Sequence, residues 1–250
     1  VRELLGSGSF GTVHSCWDRL YAIERVVKLT RLEARREVTA LLGLRIPGVV
    51  RLVDHGCDGA WTWIIMERVR GEHFCRWETW RDAERPIASL LLAVVRLHQA
   101  GAIHLDIKPD NVLVDASGQS VLVDLGLTRG TATGDFGALS GVGGNRHYSA
   151  PEQRRNQAVG PASDVYAVGV MLNETLPADA PPALSQMVRA MCAPQPEARP
   201  TAWEVLVGAS LAPPLPDFDV LLPAGELLQA QAIQHPVSYT HLTLPTTYTV

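Results

Sequence analysis

The feature that most constrains the fold of this chain is a polar stretch near its middle, His104-Leu105-Asp106-Ile107-Lys108-Pro109-Asp110-Asn111, which is followed by Asp124-Leu125-Gly126. Two apolar runs, Val112-Leu113-Val114 and Val121-Leu122-Val123, connect the two polar parts and predict a β-hairpin. The sequence therefore gathers carboxylates, an ammonium and a carboxamide around one hairpin. Such groups can orient a hydroxyl and hold hard divalent cations.

The spacing of this stretch resembles the catalytic loop of protein kinases, in which an Asn follows the catalytic Asp by five positions and a second Asp comes later. The resemblance implies that Asp106 orients the substrate hydroxyl and that Lys108 steadies the transferred phosphoryl group. It also implies that Asn111 and Asp124 bind Mg²⁺ and that Leu113 lies beneath the adenine of ATP. The competing interpretation is a polar turn in which Asp106 and Asn111 only satisfy backbone amides.

Near the N-terminus, the run Gly6-Ser7-Gly8-Ser9-Phe10-Gly11-Thr12-Val13 resembles the glycine-rich loop of the same family. Because Gly6, Gly8 and Gly11 lack side chains, the backbone amides there could approach phosphate oxygens closely. The resemblance places Val13 against the adenine. The same glycine pattern also occurs in hairpin turns and dinucleotide-binding folds, but a β-rich stretch follows here instead of a long helix, which disfavours the dinucleotide interpretation.

The lysine that anchors ATP in this family normally ends an Ala-x-Lys pattern, and this chain offers two registers for it. Ala22-Ile23-Glu24 fits the pattern but ends in the opposite charge, whereas Lys28 follows the strand-like pair Val26-Val27. Glu37, in a helix predicted to begin near Arg31, would pair with the lysine. If Glu24 occupied the position, two carboxylates would face the triphosphate. Both registers stay open, with Ala22, Lys28 and Glu37 as candidate ATP-site residues.

The run Met66-Glu67-Arg68-Val69 resembles the hinge between the two lobes of a kinase. By that resemblance, Met66 limits the depth of the nucleotide pocket, and the backbone at Glu67 and Val69 pairs with adenine. The alternative is that Met66 is simply a core residue.

Three shorter motifs downstream follow the order found in the same family. Ala150-Pro151-Glu152 resembles the end of the activation segment, while Asp164 and Arg199 resemble buried residues of the large lobe. The resemblance implies that Glu152 pairs with Arg199. The short interval from Asp164 to Arg199 predicts that a peripheral helix is missing, and Leu105 stands where the family commonly has an arginine.

Hydrophobic periodicity predicts an α+β chain, with a β-rich part followed by a larger, mainly helical part. Strands are predicted within 1–29, 49–53 and 61–66, and helices at 87–100, 163–175, 183–192 and 201–210. Together with the resemblance, which runs from Leu4 to Leu211, this predicts a bilobal protein-kinase-like fold over 1–211. Its expected parts are a small β-rich N-lobe with one helix at 1–66, a hinge at 67–70 and a C-lobe at 71–211. Prolines interrupt residues 212–250, which predicts a poorly ordered tail whose end is a candidate for non-native sequence.

Composition narrows the class of protein. A net charge of −4 provides no basic field for nucleic acid, and the four cysteines are too scattered for a zinc site or a disulfide framework. No apolar run is long enough to cross a bilayer. These observations predict a cytoplasmic globular protein with no nucleic-acid partner and no membrane segment in this chain.

The resemblance implies a serine/threonine protein kinase that uses ATP and Mg²⁺ and acts on protein hydroxyls. The first alternative is a pseudokinase, a binding or allosteric module in which Glu24 takes the lysine position. The second is a small-molecule phosphotransferase, although Lys108 and Ala150-Pro151-Glu152 argue against it. The physiological substrate and the oligomeric state do not follow from the sequence.

Overall fold

The computed structural model describes residues 1–8, 11–30, 45–59, 61–124, 129–130 and 146–211, which form two compact units. The first unit contains the described residues up to Arg45 together with Val50–Arg68. The second contains Ile46–Val49 and the described residues from Val69 onward. The chain thus passes between the units after Arg68, inside the segment expected to be a hinge.

The first unit is a five-stranded antiparallel sheet, in the order β1-β2-β3-β5-β4. Its strands are β1 (Leu4–Gly8), β2 (Gly11–Asp18), β3 (Ile23–Thr30), β4 (Leu52–Asp58) and β5 (Trp61–Glu67). The sheet confirms the strands predicted within 1–29 and at 61–66, whereas the strand predicted at 49–53 begins later, at Leu52, and extends to Asp58. The helix predicted from Arg31, which includes Glu37, lies outside the described residues.

One face of this sheet carries a small apolar core. Cys16 of β2, Val27 and Leu29 of β3, and Ile65 of β5 are buried together, and Val53 and Trp63 pack against them. Side chains alternate between the faces of a strand, so Val26 and Lys28 project from the opposite face. Strand β3 is nevertheless buried continuously from Val26 to Thr30. Both of its faces are therefore covered.

The second unit is mainly helical. Its helices are α1 (Trp80–Gln99), α2 (Pro151–Arg154), α3 (Pro161–Thr175), α4 (Pro182–Met191) and α5 (Ala202–Gly208). Short strands complete it: β6 (Glu72–His73), β8 (Val112–Val114) and β9 (Ser120–Leu122) form one sheet, while β7 (Ala102–Ile103) pairs with β10 (Arg129–Gly130). The architecture confirms the predicted mixed α+β kinase-like fold.

Helix α1 starts seven residues before the predicted position of Ile87. Its first turns are rich in charged residues and contain Pro86, so apolar periodicity appears only after that proline. The Asp179 carboxylate accepts a hydrogen bond of 2.8 Å from the Trp80 N–H at the start of the helix. Gly101, with φ of +73°, follows the end of the helix as predicted.

The remaining predicted helices are confirmed with ends shifted by a few residues. Only residues 176–181 separate α3 from α4, which confirms that no helix lies between them. The core of this unit is formed by side chains from four helices, among them Leu90, Leu97, Met171, Leu184 and Leu206. Among the helices described, none is long and apolar enough to cross a bilayer.

Candidate active site

The predicted catalytic loop brings three polar side chains together. It runs from the end of β7 into a 3₁₀ turn at Pro109–Asn111. The Lys108 Nζ donates to Oδ2 of Asp106 at 2.8 Å, and the Asn111 Nδ2 donates to the same oxygen at 2.8 Å. The Asn111 Nδ2 also donates to the Asp106 backbone carbonyl at 2.8 Å. Both side-chain donors converge on Oδ2, so one oxygen of the carboxylate fixes its orientation.

His104 links this loop to the strand that precedes Asp124. It is fully buried, and its Nε2 lies 3.1 Å from the Val123 carbonyl oxygen. A carbonyl can only accept, so Nε2 carries the proton and Nδ1 accepts the Asp106 N–H at 3.3 Å. The His104 ring therefore links the Asp106 backbone to the Val123 carbonyl.

Asp164, on the first turn of α3, holds the backbone of the loop by accepting hydrogen bonds from two of its N–H groups. Its Oδ2 accepts hydrogen bonds from the His104 N–H at 2.8 Å and from His98 Nε2 at 2.9 Å, and its Oδ1 accepts the Leu105 N–H at 2.7 Å. Complete burial opposes ionisation, but the His98 hydrogen bond and the backbone donors together hold the pKa of Asp164 below its ordinary value. The carboxylate is therefore charged and fixed at neutral pH.

The two predicted metal ligands flank one hairpin: Asn111 comes directly before β8, and Asp124 comes two residues after the end of β9. The Val123 N–H donates to the Asn111 carbonyl at 2.9 Å, so Asp124 comes one residue after a direct backbone contact with Asn111. Carboxylate and carboxamide oxygens are ligands that suit Mg²⁺, which usually takes one or two such protein groups and completes its shell with phosphate and water oxygens. Across the described residues, no cluster of three or more His, Cys, Asp or Glu side chains could hold a metal. A two-ligand Mg²⁺ site fits this chemistry.

In the first unit, Lys28 lies in the middle of β3 and is 4% exposed. It pairs with Val13 of β2 and with Ile64 of β5. Glu24 lies near the start of the same strand, pairs with Trp17, and has its carboxylate 4.0 Å from the Arg68 Nε. Lys28 is therefore buried within the strand, whereas Glu24 is partly exposed near the start of the strand, beside Arg68.

The face of the sheet that carries Lys28 also carries Val13, Val26 and Met66. Cross-strand partners share a face, and the register pairs Lys28 with Val13 and Val26 with Met66. Ala22 does not reach this face, because it lies in the turn before β3 with φ of +51°. Val26, two residues before Lys28, occupies the position for which the sequence had suggested Ala22. The Val-Val-Lys run was the signal that could have identified it.

The glycine-rich segment forms the hairpin between β1 and β2. Gly6 pairs with Val13 and Gly8 with Gly11, while the two residues between Gly8 and Gly11 lie outside the described part. Gly11 has φ of +127°, and a Cβ built on it would collide with the Leu29 carbonyl. Only glycine fits there.

The remaining predicted ATP-site residues divide between the two units. Glu67 ends β5 in the first unit, and its N–H donates to the Arg51 carbonyl at 3.0 Å. Val69 and Leu113 belong to the second unit, where Leu113 of β8 pairs with His73 and Val121.

An ion pair anchors α2 to the segment just before α5. Arg199 donates from Nη1 to Oε1 of Glu152 at 2.8 Å and from Nη2 to Oε2 at 2.9 Å, which confirms the predicted pairing. The Ser163 hydroxyl adds a bond of 2.8 Å to the same carboxylate. Burial works against the charge of Glu152, yet these donors keep its pKa below the ordinary value.

Residues before α2 are tied to the end of α3. The Tyr148 hydroxyl donates to Oε2 of Glu174 at 3.0 Å, and His147 is hydrogen-bonded to Oε1. Partial burial, the hydrogen bond to Glu174 and the charges of Glu174 and Asp110 raise the pKa of Tyr148 to about 12. The phenol is a neutral donor. The sequence did not predict this cluster.

Comparison with known proteins agrees with the fold. A family model of the protein kinase domain matches residues 1–187. Serine/threonine-protein kinase PknL of Mycobacterium tuberculosis is 33% identical over 201 residues, covering 72% of this chain and 49% of the relative. Serine/threonine-protein kinase PrkC of Bacillus subtilis is 27% identical over 219 residues, covering 80% of this chain and 34% of the relative.

The chain spans only about a third to a half of the length of these relatives. The family match, in contrast, covers well over half of the chain and includes the catalytic loop, the hairpin after it and the Glu152 segment. The chain therefore belongs to the protein kinase domain family.

Proposed function

We propose that this chain transfers the terminal phosphoryl group of ATP to serine or threonine hydroxyls of protein substrates. The observation that carries the proposal is the buried Asp106 carboxylate, held on one oxygen by Lys108 and Asn111. Such a carboxylate is oriented before substrate arrives. Preorganisation of this kind accounts for most of the catalysis that a protein contributes to phosphoryl transfer.

In the proposed reaction, the substrate hydroxyl oxygen forms a bond to the γ-phosphorus of ATP, and the bond from that phosphorus to the β–γ bridging oxygen breaks. ADP leaves with the electron pair of the broken bond. Asp106 Oδ1 accepts the hydroxyl proton, while the Lys108 ammonium lies beside Oδ2 and can also contact the phosphoryl oxygens. The products are a phosphorylated protein and ADP.

Asn111 and Asp124 are the residues proposed to hold Mg²⁺, which would neutralise charge on the phosphate oxygens. Lys28 is proposed as the cation that binds the ATP phosphates. Its place on β3 supports this role, because it shares a sheet face with Val13 and Met66, which the resemblance also assigns to the nucleotide. The Glu24 carboxylate lies beside Arg68 at the strand end, which argues against the pseudokinase alternative.

The proposed substrate class rests on Lys108 and on the relatives, which are named as serine/threonine-protein kinases. We place the reaction in the cytoplasm, where ATP is available. None of the four cysteines, all of which lie among the described residues, forms a disulfide, which suits a reducing compartment.

The test compares the wild-type chain with Asp106→Asn in a radiolabelled ATP assay on a general protein substrate. We expect Asp106→Asn to lose transfer by at least about 100-fold, because the amide cannot accept the proton. Asp110→Asn is the matched control, since it removes an exposed carboxylate of the same loop. Equal incorporation by wild type and Asp106→Asn would refute the proposal. A wild-type chain that binds ATP without turnover would favour the pseudokinase, and phosphorylation of an aminoglycoside but of no protein would favour the small-molecule enzyme.

A further inference from the structure

The peptide group that joins Leu105 to Asp106 is held at both of its polar atoms. Its carbonyl oxygen, on Leu105, accepts a hydrogen bond of 2.9 Å from the Gln153 Nε2. Its N–H, on Asp106, donates to the His104 Nδ1 at 3.3 Å. A peptide group is planar, so fixing both atoms fixes the plane from which the Asp106 Cα and side chain project.

This peptide group follows a residue in an unfavourable conformation. Leu105 has φ of +67°, in the left-handed region that residues other than glycine rarely adopt. Its side chain is apolar and buried, so it can contribute no hydrogen bond that would hold the loop. The conformation depends on backbone contacts: the Leu105 N–H donates to Asp164, and the Leu105 carbonyl accepts from Gln153. Such strain persists only where the surroundings enforce it.

Gln153 is itself fixed at its other polar atom. The Ala150 N–H donates to Oε1 of Gln153 at 2.9 Å, and this contact also sets the orientation of the carboxamide. The oxygen must face the Ala150 N–H, and the nitrogen must face the Leu105 carbonyl. The carboxamide therefore forms a rigid bridge between the start of α2 and the catalytic loop.

We propose that Gln153 is a positioning residue for Asp106. Its carboxamide sets the plane of the Leu105–Asp106 peptide and thereby the direction of the Asp106 carboxylate. The effect of Gln153 on catalysis rests on the proposed phosphoryl transfer. The hydrogen bonds by which Gln153 holds the loop backbone do not depend on that proposal.

The role is separable from the stability of α2. The neighbouring Glu152 pairs with Arg199 through two hydrogen bonds, which anchors α2 without any help from Gln153. Loss of the Gln153 donor should therefore disturb the catalytic loop more than the fold.

The test uses Gln153→Glu and Gln153→Met in the full chain. Glutamate keeps an acceptor for the Ala150 N–H but sets a carboxylate against the Leu105 carbonyl, and methionine keeps the length without either hydrogen bond. We expect kcat to fall on the order of tenfold or more, with the KM for ATP and for protein substrate unchanged, because orientation matters in the transition state. Gln157→Glu is the control, since it makes the same change at an exposed position on the same segment.

Amide hydrogen exchange of the 104–111 segment gives a second measurement that needs no activity. We expect faster exchange at Leu105 and Asp106 in both Gln153 variants and unchanged exchange in Gln157→Glu. Wild-type kcat together with wild-type exchange in the Gln153 variants would overturn the positioning role, as would a loss of kcat without faster exchange. If the wild-type chain transfers no phosphate, the proposed function fails, and the exchange data alone then decide whether Gln153 clamps the loop.

Discussion

Lys28 and Glu24 project from the same face of β3, four residues apart, but only Lys28 is buried. Four residues of strand span roughly 13 Å, so neither side chain can take the place of the other without a shift in register. The register is fixed by pairing on both sides of β3, with Val13 opposite Lys28 on β2 and Ile64 opposite it on β5. The Lys28 ammonium is therefore buried on this face of β3, and the Glu24 carboxylate lies near the start of the strand.

The first prediction follows from this arrangement. Lys28→Met should lower phosphoryl transfer by at least about 100-fold, because the cation proposed to bind the phosphates would be lost. Glu24→Gln should leave transfer within about twofold of wild type, since its contact with Arg68 is a long, partly exposed ion pair of 4.0 Å. Initial rates at saturating ATP measure both. The opposite ranking, with Glu24→Gln more damaging than Lys28→Met, would show that the register argument is wrong.

The second prediction concerns the ion pair between Glu152 and Arg199. Arg199→Ala should lower the free energy of unfolding by about 3–5 kcal/mol, because it leaves a buried carboxylate without its partner. Arg199 also donates to the carbonyls of Ala193 and Ala162, so several acceptors lose their donor at once. Urea unfolding followed by circular dichroism measures the change. Glu197→Gln, at an exposed position nearby, is the control and should shift the unfolding midpoint hardly at all.

The residues that could be predicted from sequence are those whose geometry is local. Asp106, Lys108 and Asn111 lie within one short loop, so their spacing alone indicates that they meet. Gln153 could not be found in this way, because it contacts Leu105 across 48 residues of chain and a lone glutamine has no distinctive pattern. The spacing of Ala22 to Glu24 matches a motif and so predicts Ala22, whereas Val26, two residues before Lys28, shares its face of β3, and these two residues pair with Met66 and Ile64 of β5. Strand register depends on partners that periodicity does not reveal.

The third prediction is a pH dependence that originates at Asp164. The pKa of this carboxyl is lower in the folded chain than its ordinary value of 3.8, so the unfolded state binds the proton more readily. The stability that the charged form contributes is therefore complete above about pH 4–5 and is lost as the pH falls through the folded pKa. Asp164→Asn should be less stable at pH 7 by roughly 1.5–3 kcal/mol and should lose less stability than wild type on acidification. Thermal unfolding from neutral to acidic pH checks this, and parallel curves would contradict it.

The fourth prediction concerns the short connection between α3 and α4. Residues 176–181 are all that joins these helices, and Asp179 in this connection accepts the N–H of Trp80 at the start of α1, 99 residues earlier in the chain. The nearest residue that could cap the helix, Thr79, instead donates its hydroxyl to Asp82. Asp179 thus satisfies a helix N–H that has no partner within the helix, and its charge favours the positive end of the helix dipole.

Asp179→Ala should therefore destabilise the chain by about 0.5–2 kcal/mol, and Asp179→Asn by less, because asparagine keeps the acceptor but loses the charge. Glu84→Gln, an exposed acidic position further along α1, is the matched control for removal of one charge. Urea unfolding gives the free energies, and hydrogen exchange at Trp80 tests whether the loss occurs at this helix end. If alanine and asparagine have the same effect, the carboxylate acts through its charge alone. If neither variant changes the exchange at Trp80, Asp179 does not cap α1.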